Sequence, residues 1–270
     1  MGRLSRGYWP LAACFFLFCG SQISFATNIT GLPLDPSLFP DPSTLISPNI
    51  VKSVVKTVGL LTEIRPYEPA SPLGFSLGVE IGLVVTLVKV PSDFFAALKE
   101  AGLDQSIPQL PALPFPMLII HKGVHERIDL GLAGLYYKGY QVYGGDVKLV
   151  LYQPEEGPTW AARLGYTRAA LGFVTTTSWT PQLLVSKKLD FAEPYMGVGY
   201  QYILGTIKVT IKPEDPYPAI TISGSGFSHE VNAFGGISLR MPLMGFRITM
   251  EGGYSSVASH TLGVKIGSSF

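Results

Sequence analysis

The chain has 270 residues, of which 47% are hydrophobic and 14% charged, and its formal net charge is +1. This near neutrality leaves no basic excess, so the composition argues against a nucleic-acid-binding protein. The two cysteines, Cys14 and Cys19, lie close together near the N-terminus. A disulfide framework or a cysteine-ligated metal in the rest of the chain is therefore excluded.

The N-terminus has the pattern of an export signal. Arg3 and Arg6 precede the apolar residues 11–18, and residues 24–26 place small side chains at the two positions that determine cleavage. The apolar stretch is shorter than the roughly 20 residues of a membrane-spanning helix. We predict a signal peptide over residues 1–26, whose removal takes both cysteines and lowers Lys+Arg from 20 to 18 against 19 acidic residues.

Residues 27–70 are proline-rich and contain one helical pattern, which predicts a periplasmic N-terminal segment with an amphipathic helix over residues 48–62. Ser47 and Pro48 supply a cap and a first-turn residue. The apolar positions are Ile50, Val51, Val54, Val55, Val58 and Leu61. Three placements fit this stripe: packing on the periplasmic rim of a barrel, a plug inside its lumen, or a helix lying in the membrane interface.

Residues 71–270 follow a period of two, which is the spacing of half-buried strands. The clearest segment, residues 73–87, places apolar side chains at every second position with glycines and Glu80 between them. A transmembrane helix over residues 72–88 is the rival interpretation, but repeated glycines and a central glutamate are costly for a helix in lipid. The period of two therefore predicts a membrane-crossing strand.

About nine further segments alternate in the same way and are separated by turn residues. They predict an all-β fold, a transmembrane antiparallel up-and-down β-barrel of about ten strands, within a range of eight to twelve. An even number of strands places both chain ends on the periplasmic side, so the long connections 89–112 and 212–226 lie outside. Residues 92–101 in the first of these connections form a predicted helix that Ser92 caps and Gly102 ends.

The inward face of the predicted strands carries acidic and basic side chains in equal number. These positions are Glu80, Asp129, Asp146, Lys148, Arg163, Glu230, Arg240, Arg247, Glu251 and Lys265. A barrel of this size has little open bore, and its interior is normally filled by side chains. We therefore expect a largely filled, charge-paired lumen, with a narrow selective pore as the alternative.

The histidines give no catalytic arrangement. The candidates near the outer rim are His229 and His260 with Glu214 or Asp215, but His229 belongs to the outward register of its strand and His260 to a short loop. The four histidines also lack the paired spacing of metal ligands. We predict no enzyme, no cofactor and no metal site.

The final strand has an apolar face that ends on the last residue and is formed by Leu262, Val264, Ile266 and Phe270. This pattern resembles the C-terminal strand of Gram-negative outer-membrane β-barrels, which the barrel-insertion machinery reads. The resemblance implies an outer-membrane location, contact with outer-membrane lipid, and these four residues as the insertion signal.

Residues 72–206 also resemble a family of bacterial outer-membrane barrels known only as uncharacterised. The resemblance rests on the helix-bearing first loop, on Leu110, Pro111 and Pro114 before the second strand, and on residues 193–199. It implies no known activity and transfers no functional residue.

Together these features predict an outer-membrane barrel with a structural or interaction role. The alternative is a passive transporter or narrow channel for small or hydrophobic solutes, with the N-terminal helix as its plug. A lipid-modifying enzyme or protease is the remaining class. The sequence identifies no solute and no extracellular ligand.

Overall fold

The computed structural model describes residues 47–90, 112–137, 139–211, 220–241, 245–256 and 259–270. The predicted signal peptide, residues 27–46 of the N-terminal segment and the predicted loop helix over residues 92–101 lie outside these ranges. In the described part of the chain, no helix is long and apolar enough to cross a membrane.

The described residues form one helix and ten strands. Helix α1 spans Pro48–Leu61. The strands are β1 Val79–Lys89, β2 Ala112–His125, β3 Ile128–Tyr137, β4 Tyr140–Tyr152, β5 Thr159–Leu171, β6 Val174–Ser186, β7 Ala192–Ile211, β8 Ile220–Arg240, β9 Phe246–Ser255 and β10 His260–Ser269. Each strand pairs antiparallel with its neighbours in sequence, and β1 pairs with β10, so the sheet closes into a barrel. The predicted fold is confirmed.

Side chains alternate across the barrel wall. In β10, Leu262, Val264 and Ile266 are exposed on the outside, whereas Lys265 is buried inside. The other strands repeat this pattern, which leaves a band of apolar side chains on the outer wall and a polar lumen. Such a band would promote association in water, and it is the surface that a barrel presents to lipid.

The two ends of the barrel carry different connections. We call the lower rim the end that holds Phe270, the start of β1 and residues 187–191. The upper rim is the opposite end, where β1 ends at Lys89, β2 begins at Ala112, β7 ends at Ile211 and β8 begins at Ile220.

Strands β7 and β8 project beyond their neighbours at the upper rim. They pair as far as Ile211 and Ile220, whereas the pairing of β6 with β7 stops at Ile207. Residues 220–226 therefore belong to a strand, and their assignment to a loop was wrong. The serine and glycine content of these residues is typical of a loop, but their small side chains make room for α1 on the lumen face.

Helix α1 lies inside the barrel near the upper rim, against the inner faces of β6, β7 and β8. Its apolar stripe packs on the wall residues Val174, Ile203 and Ile207. A Cβ atom at Gly205 would lie 2.6 Å from a methyl group of Val55, so the helix needs a glycine there. Of the three placements that fit its apolar stripe, the helix therefore has the one inside the lumen, because this part of the inner wall is itself apolar and matches the helix.

After α1 the chain runs down through the lumen to the lower rim. The backbone N–H of Ala70 donates to Ser186 Oγ at 3.1 Å, and that of Leu73 donates to Asp129 Oδ2 at 3.1 Å. We call residues 47–73 the inserted segment, because they occupy the barrel from one rim to the other.

Strand β1 begins at Val79 and not at residue 73, where the alternation begins. Gly74 has a φ of +91° and turns the chain at the lower rim. Lys122 Nζ donates to the carbonyl of Phe75 at 3.3 Å in this turn. The predicted start of the strand was wrong because an apolar alternation contains no information on where the chain turns.

We expect Val51→Cys with Gly224→Cys to form a disulfide in a Cys14→Ser, Cys19→Ser background. A Cβ atom at Gly224 would lie 4.0 Å from the Cβ of Val51, which is within the range that a disulfide bridges. Mass spectrometry after oxidation, denaturation and alkylation should find neither cysteine modified, while each single-cysteine control is alkylated. Alkylation of the double variant, purified as a folded barrel, would contradict this position of α1.

Candidate functional site

Glu80 binds two cations of the barrel wall. Its carboxylate oxygens lie 2.8 Å from Arg247 Nη1 and 2.7 Å from Lys265 Nζ, and all three side chains are buried. They come from β1, β9 and β10, which are adjacent where the barrel closes. These ion pairs therefore join the first strand to the last two.

Lys148 joins the wall to the inserted segment. Its Nζ lies 3.0 Å from Asp129 Oδ2 on β3 and 3.3 Å from Glu68 Oε2 in the inserted segment. The same ammonium donates hydrogen bonds to the carbonyls of Pro69 and Ser71, each at 3.1 Å. A buried ammonium needs such partners to replace its lost hydration.

Arg163 makes a second link between wall and inserted segment. Its Nη2 lies 3.0 Å from Asp146 Oδ1 on β4 and donates to the carbonyl of Ile64 at 3.1 Å. Its Nη1 donates to Gln182 Oε1 on β6 at 2.7 Å. One guanidinium thus connects two neighbouring strands to the backbone of the inserted segment.

Glu251 on β9 makes a third link. Its Oε1 lies 3.9 Å from Arg65 Nη1, and its Oε2 accepts hydrogen bonds from the backbone N–H of Tyr67 at 3.2 Å and from the hydroxyl of Tyr195 at 2.8 Å. Arg65 also lies 3.1 Å from Glu63. The wall carboxylate is therefore bound by both a side chain and the backbone of the inserted segment.

Tyr67 is fully buried and has a φ of +43°, a conformation that residues other than glycine seldom adopt. Its hydroxyl is hydrogen-bonded to Thr86 Oγ1 at 2.6 Å. A Cβ atom at Gly263 would overlap the phenol ring, so the glycine of β10 provides the space for it.

His121 on β2 lies between the inserted segment and the wall. Its Nδ1 is 3.7 Å from Glu68 Oε2, and its Nε2 is 3.5 Å from Asp146 Oδ1. The imidazole is 1% exposed, and neither nitrogen has a hydrogen-bond partner among the described residues. Gly131 is opposite His121 on β3, and a Cβ atom there would clash with both His121 and Asp146.

Glu68, His121 and Asp146 also bring three potential metal-ligand atoms within 4.8 Å of one another. Each carboxylate already has a cation beside it, however, since Lys148 lies 3.3 Å from Glu68 and Arg163 lies 3.0 Å from Asp146. These two charges oppose a metal ion. We therefore assign the three side chains to the ion-pair network.

Eight of the ten residues expected in the lumen cluster form ion pairs inside the barrel: Glu80, Asp129, Asp146, Lys148, Arg163, Arg247, Glu251 and Lys265. Glu230 is buried on β8 and accepts hydrogen bonds from Ser228 and Ser256 at 2.9 and 2.8 Å. Arg240 lies at the lower rim and pairs with Glu193 at 3.1 Å.

Sequence reasoning missed the residues that connect the inserted segment to the wall. Glu63, Arg65 and Glu68 are three charges within six residues directly after the helix, and this clustering was the available signal. His121 was also missed, although it shares the inward register of β2 with Met117 and Ile119.

The candidate catalytic residues are not brought together. His229 is exposed on the outer face of β8 and stacks with Tyr200 and Phe227, and His260 packs against Tyr254. Glu214 and Asp215 lie outside the described residues. The described ring contacts of His229 and His260 are therefore with aromatic side chains.

The apolar residues of the expected insertion signal lie on the outer wall. Their exposed fractions are 57% for Leu262, 38% for Val264, 56% for Ile266 and 68% for Phe270.

Comparison with known proteins found no matching family model and no matching curated protein. Among solved structures, the chain is similar to the N-terminal β-barrel domain of OprF from Pseudomonas aeruginosa, with 10% identity, a TM-score of 0.33, and coverage of 71% of this chain and 97% of that one. The KdgM porin matches with 9% identity, a TM-score of 0.36, and coverage of 71% and 99%. The Ail protein of Yersinia pestis matches with 8% identity, a TM-score of 0.29, and coverage of 71% and 94%.

The fold is a closed antiparallel β-barrel of ten strands. At these identities and TM-scores the likeness transfers neither a site residue nor a role to this chain. The resemblance of residues 72–206 to one uncharacterised family stays a prediction.

Glu80→Gln should destabilise the barrel by about 3–5 kcal/mol, because it leaves two buried cations without their shared counter-ion. The free energy of unfolding can be measured by urea titration in detergent, followed by tryptophan fluorescence. Glu155→Gln changes an exposed carboxylate in a lower turn and should alter that free energy by no more than about 0.5 kcal/mol. Equal effects of the two substitutions would contradict the ion-pair network.

Proposed function

We propose that this protein is an outer-membrane β-barrel that is closed by its own inserted segment and has a structural or interaction role. The observation that carries the proposal is the set of contacts between the inserted segment and the wall. Glu68 pairs with Lys148, Arg65 lies beside Glu251, and the carbonyl of Ile64 accepts from Arg163. These contacts come from several sides of the barrel, so the segment crosses the lumen and does not lie along one wall.

The apolar outer band supports a location in the outer membrane, and the lower rim would face the periplasm, where short turns are usual. Outer-membrane lipid is then the direct partner of the band. The barrel-insertion machinery would bind the strand that ends at Phe270 during biogenesis. Nothing in this proposal requires nucleic acid, a cofactor or an enzymatic step.

A passive transporter for small or hydrophobic solutes is the second candidate. The polar character of the contacts favours this function. A wall lined by Glu80, Lys148, Arg163 and Glu251 would remain wettable if the inserted segment left the lumen. In that case α1 and the residues after it would act as a plug.

Single-channel conductance of the Val51→Cys, Gly224→Cys variant separates the two functions. In planar bilayers, we expect no conductance steps from the oxidised protein or after reduction, because the ion pairs hold the segment in both states. Each single-cysteine variant is the matched control, and heat-modifiable gel mobility verifies a folded barrel. Steps that appear only on reduction would support the plugged transporter, and steps from the oxidised protein would contradict a closed lumen.

A further inference from the structure

Strand β8 has an open edge at the upper rim. Its pairing with β9 covers residues 232–240, whereas its pairing with β7 continues to Ile220. In the described part of the chain, residues 222–229 therefore have a neighbouring strand on one side only. We call the side of these residues that faces away from β7 the open edge.

The backbone groups of the open edge can be assigned from Val231. Its N–H donates to Ser256 Oγ at 3.2 Å and its carbonyl accepts from the N–H of Ser256 at 2.8 Å, so both groups point away from β7. In an antiparallel sheet, every second residue directs its N–H and C=O to the same neighbour. Ser223, Ser225 and Phe227 consequently direct theirs to the open edge. No described residue binds these groups through its backbone.

The open edge lies beyond the lipid-facing band. Trp179 on β6 and Tyr202 on β7 are exposed on the outer wall, and the register aligns Tyr202 with His229 on β8. Exposed tryptophan and tyrosine side chains of a barrel mark the border between lipid and water. Unpaired backbone groups are not tolerated in lipid, but water solvates them. The edge from Phe227 to the upper rim is therefore in water.

The side chains of the open edge do not protect it against a further strand. Exposed edges are usually blocked by charged side chains, by proline or by a bulge. Residues 222–228 contain no charged residue and no proline, and their pairing with β7 has no shift in register. An extended peptide can therefore add to β8 through its backbone, as in strand addition at other sheet edges.

Two lysines lie beside the open edge, one on each face of β8. Lys208 is exposed on the outer face and is the cross-strand partner of Ser223. Lys52 is exposed on α1, and its backbone nitrogen would lie 3.7 Å from a Cβ atom at Gly226. Glu230, the described carboxylate of this strand, is buried and accepts hydrogen bonds from two serines. The charges beside the edge are thus positive, which favours an acidic partner.

We propose that residues 222–229 of β8 are a docking edge for an extended, acidic segment of a partner protein. The segment would continue the sheet where β9 ends, on the upper-rim side of the membrane. Its apolar side chains would alternate with acidic ones, facing Gly224, Gly226 and α1, while the acidic ones face outward near Lys208. The proposal rests on the interaction role proposed above and names its surface and its class of partner.

A second copy of this chain does not fit the open edge. In two barrels inserted in the same direction, both β8 strands run from the upper rim to the lower rim. Their edges therefore cannot pair antiparallel, which is how every pair in this sheet is formed. A separate extended segment has no such restriction on its direction.

Peptide binding to the full-length protein in detergent tests the proposal. The probe is a fluorescein-labelled peptide of alternating valine and glutamate, about nine residues long, which matches the length of the edge. Fluorescence anisotropy gives its Kd. A peptide with lysine in place of glutamate is the control, and we expect it to bind at least about tenfold more weakly at low salt.

N-methylated peptides test the backbone contacts without a change in the protein. With the glutamates on the outer face, their N–H groups lie opposite the edge residues Ser223, Ser225 and Phe227 and pair with β8, whereas the valine N–H groups point away. N-methylation of the glutamates should therefore weaken binding at least about tenfold. The same number of N-methyl groups on the valines is the matched control and should weaken binding much less.

Ser225→Pro tests the edge from the side of the protein. Proline removes an N–H that points to the open edge, so the pairing of β8 with β7 is kept. We expect the acidic peptide to bind at least about tenfold more weakly, while Ser225→Ala, which retains the N–H, should bind it like the wild type. Heat-modifiable gel mobility verifies that each variant is folded, and the N-methylated peptides keep the proposal testable where Ser225→Pro does not fold.

Several outcomes would overturn the docking edge. One is no measurable binding of the acidic peptide, or equal binding of the two N-methylated peptides. Slow hydrogen exchange of the Ser225 and Phe227 amides without peptide, measured by NMR, would show that another part of this chain already covers the edge. A dimer that Ser225→Pro dissociates would assign the edge to a second copy. The closed lumen is tested separately by conductance, so its failure is distinguishable from each of these results.

Discussion

The buried ion pairs between the inserted segment and the barrel wall are the interaction on which the rest of the structure depends. Lys148, Arg163 and Glu251 each bind partners on the wall and in the segment at the same time. A charge buried away from water without such partners costs several kcal/mol. The buried charges of the wall and of the inserted segment therefore need each other as partners. This pairing explains why residues 47–73 lie inside the barrel.

Glycines let the wall accept this segment. Gly205 and Gly224 remove side chains where Val55 and Val51 of α1 approach, and Gly263 does so for Tyr67. A small barrel is normally filled by side chains from its own strands. Here part of that filling comes from residues 47–73, a stretch of chain that lies outside the strands.

The strands and their faces could be predicted from the sequence because a period of two determines which side chains share a face. Both the C-terminal strand and the inward position of Lys148 followed from that rule. The partners of the lumen charges could not be predicted, because residues 62–70 have no periodicity and their pairing depends on distant strands. The start of β1 and the strand over residues 220–226 could not be predicted for a related reason. Turns and small residues interrupt the period of two that marks a strand.

The most direct test of the closed lumen is a distance measurement between the inserted segment and the wall in lipid. The guanidinium of Arg163 lies 3.1 Å from the carbonyl oxygen of Ile64, two residues far apart in sequence. Solid-state NMR of protein labelled with ¹⁵N-arginine and carbonyl-¹³C isoleucine should show a through-space correlation between these two groups. Its presence, lost in Arg163→Lys, is the expected result; a visible Arg163 guanidinium signal with no correlation to Ile64 would contradict an inserted segment.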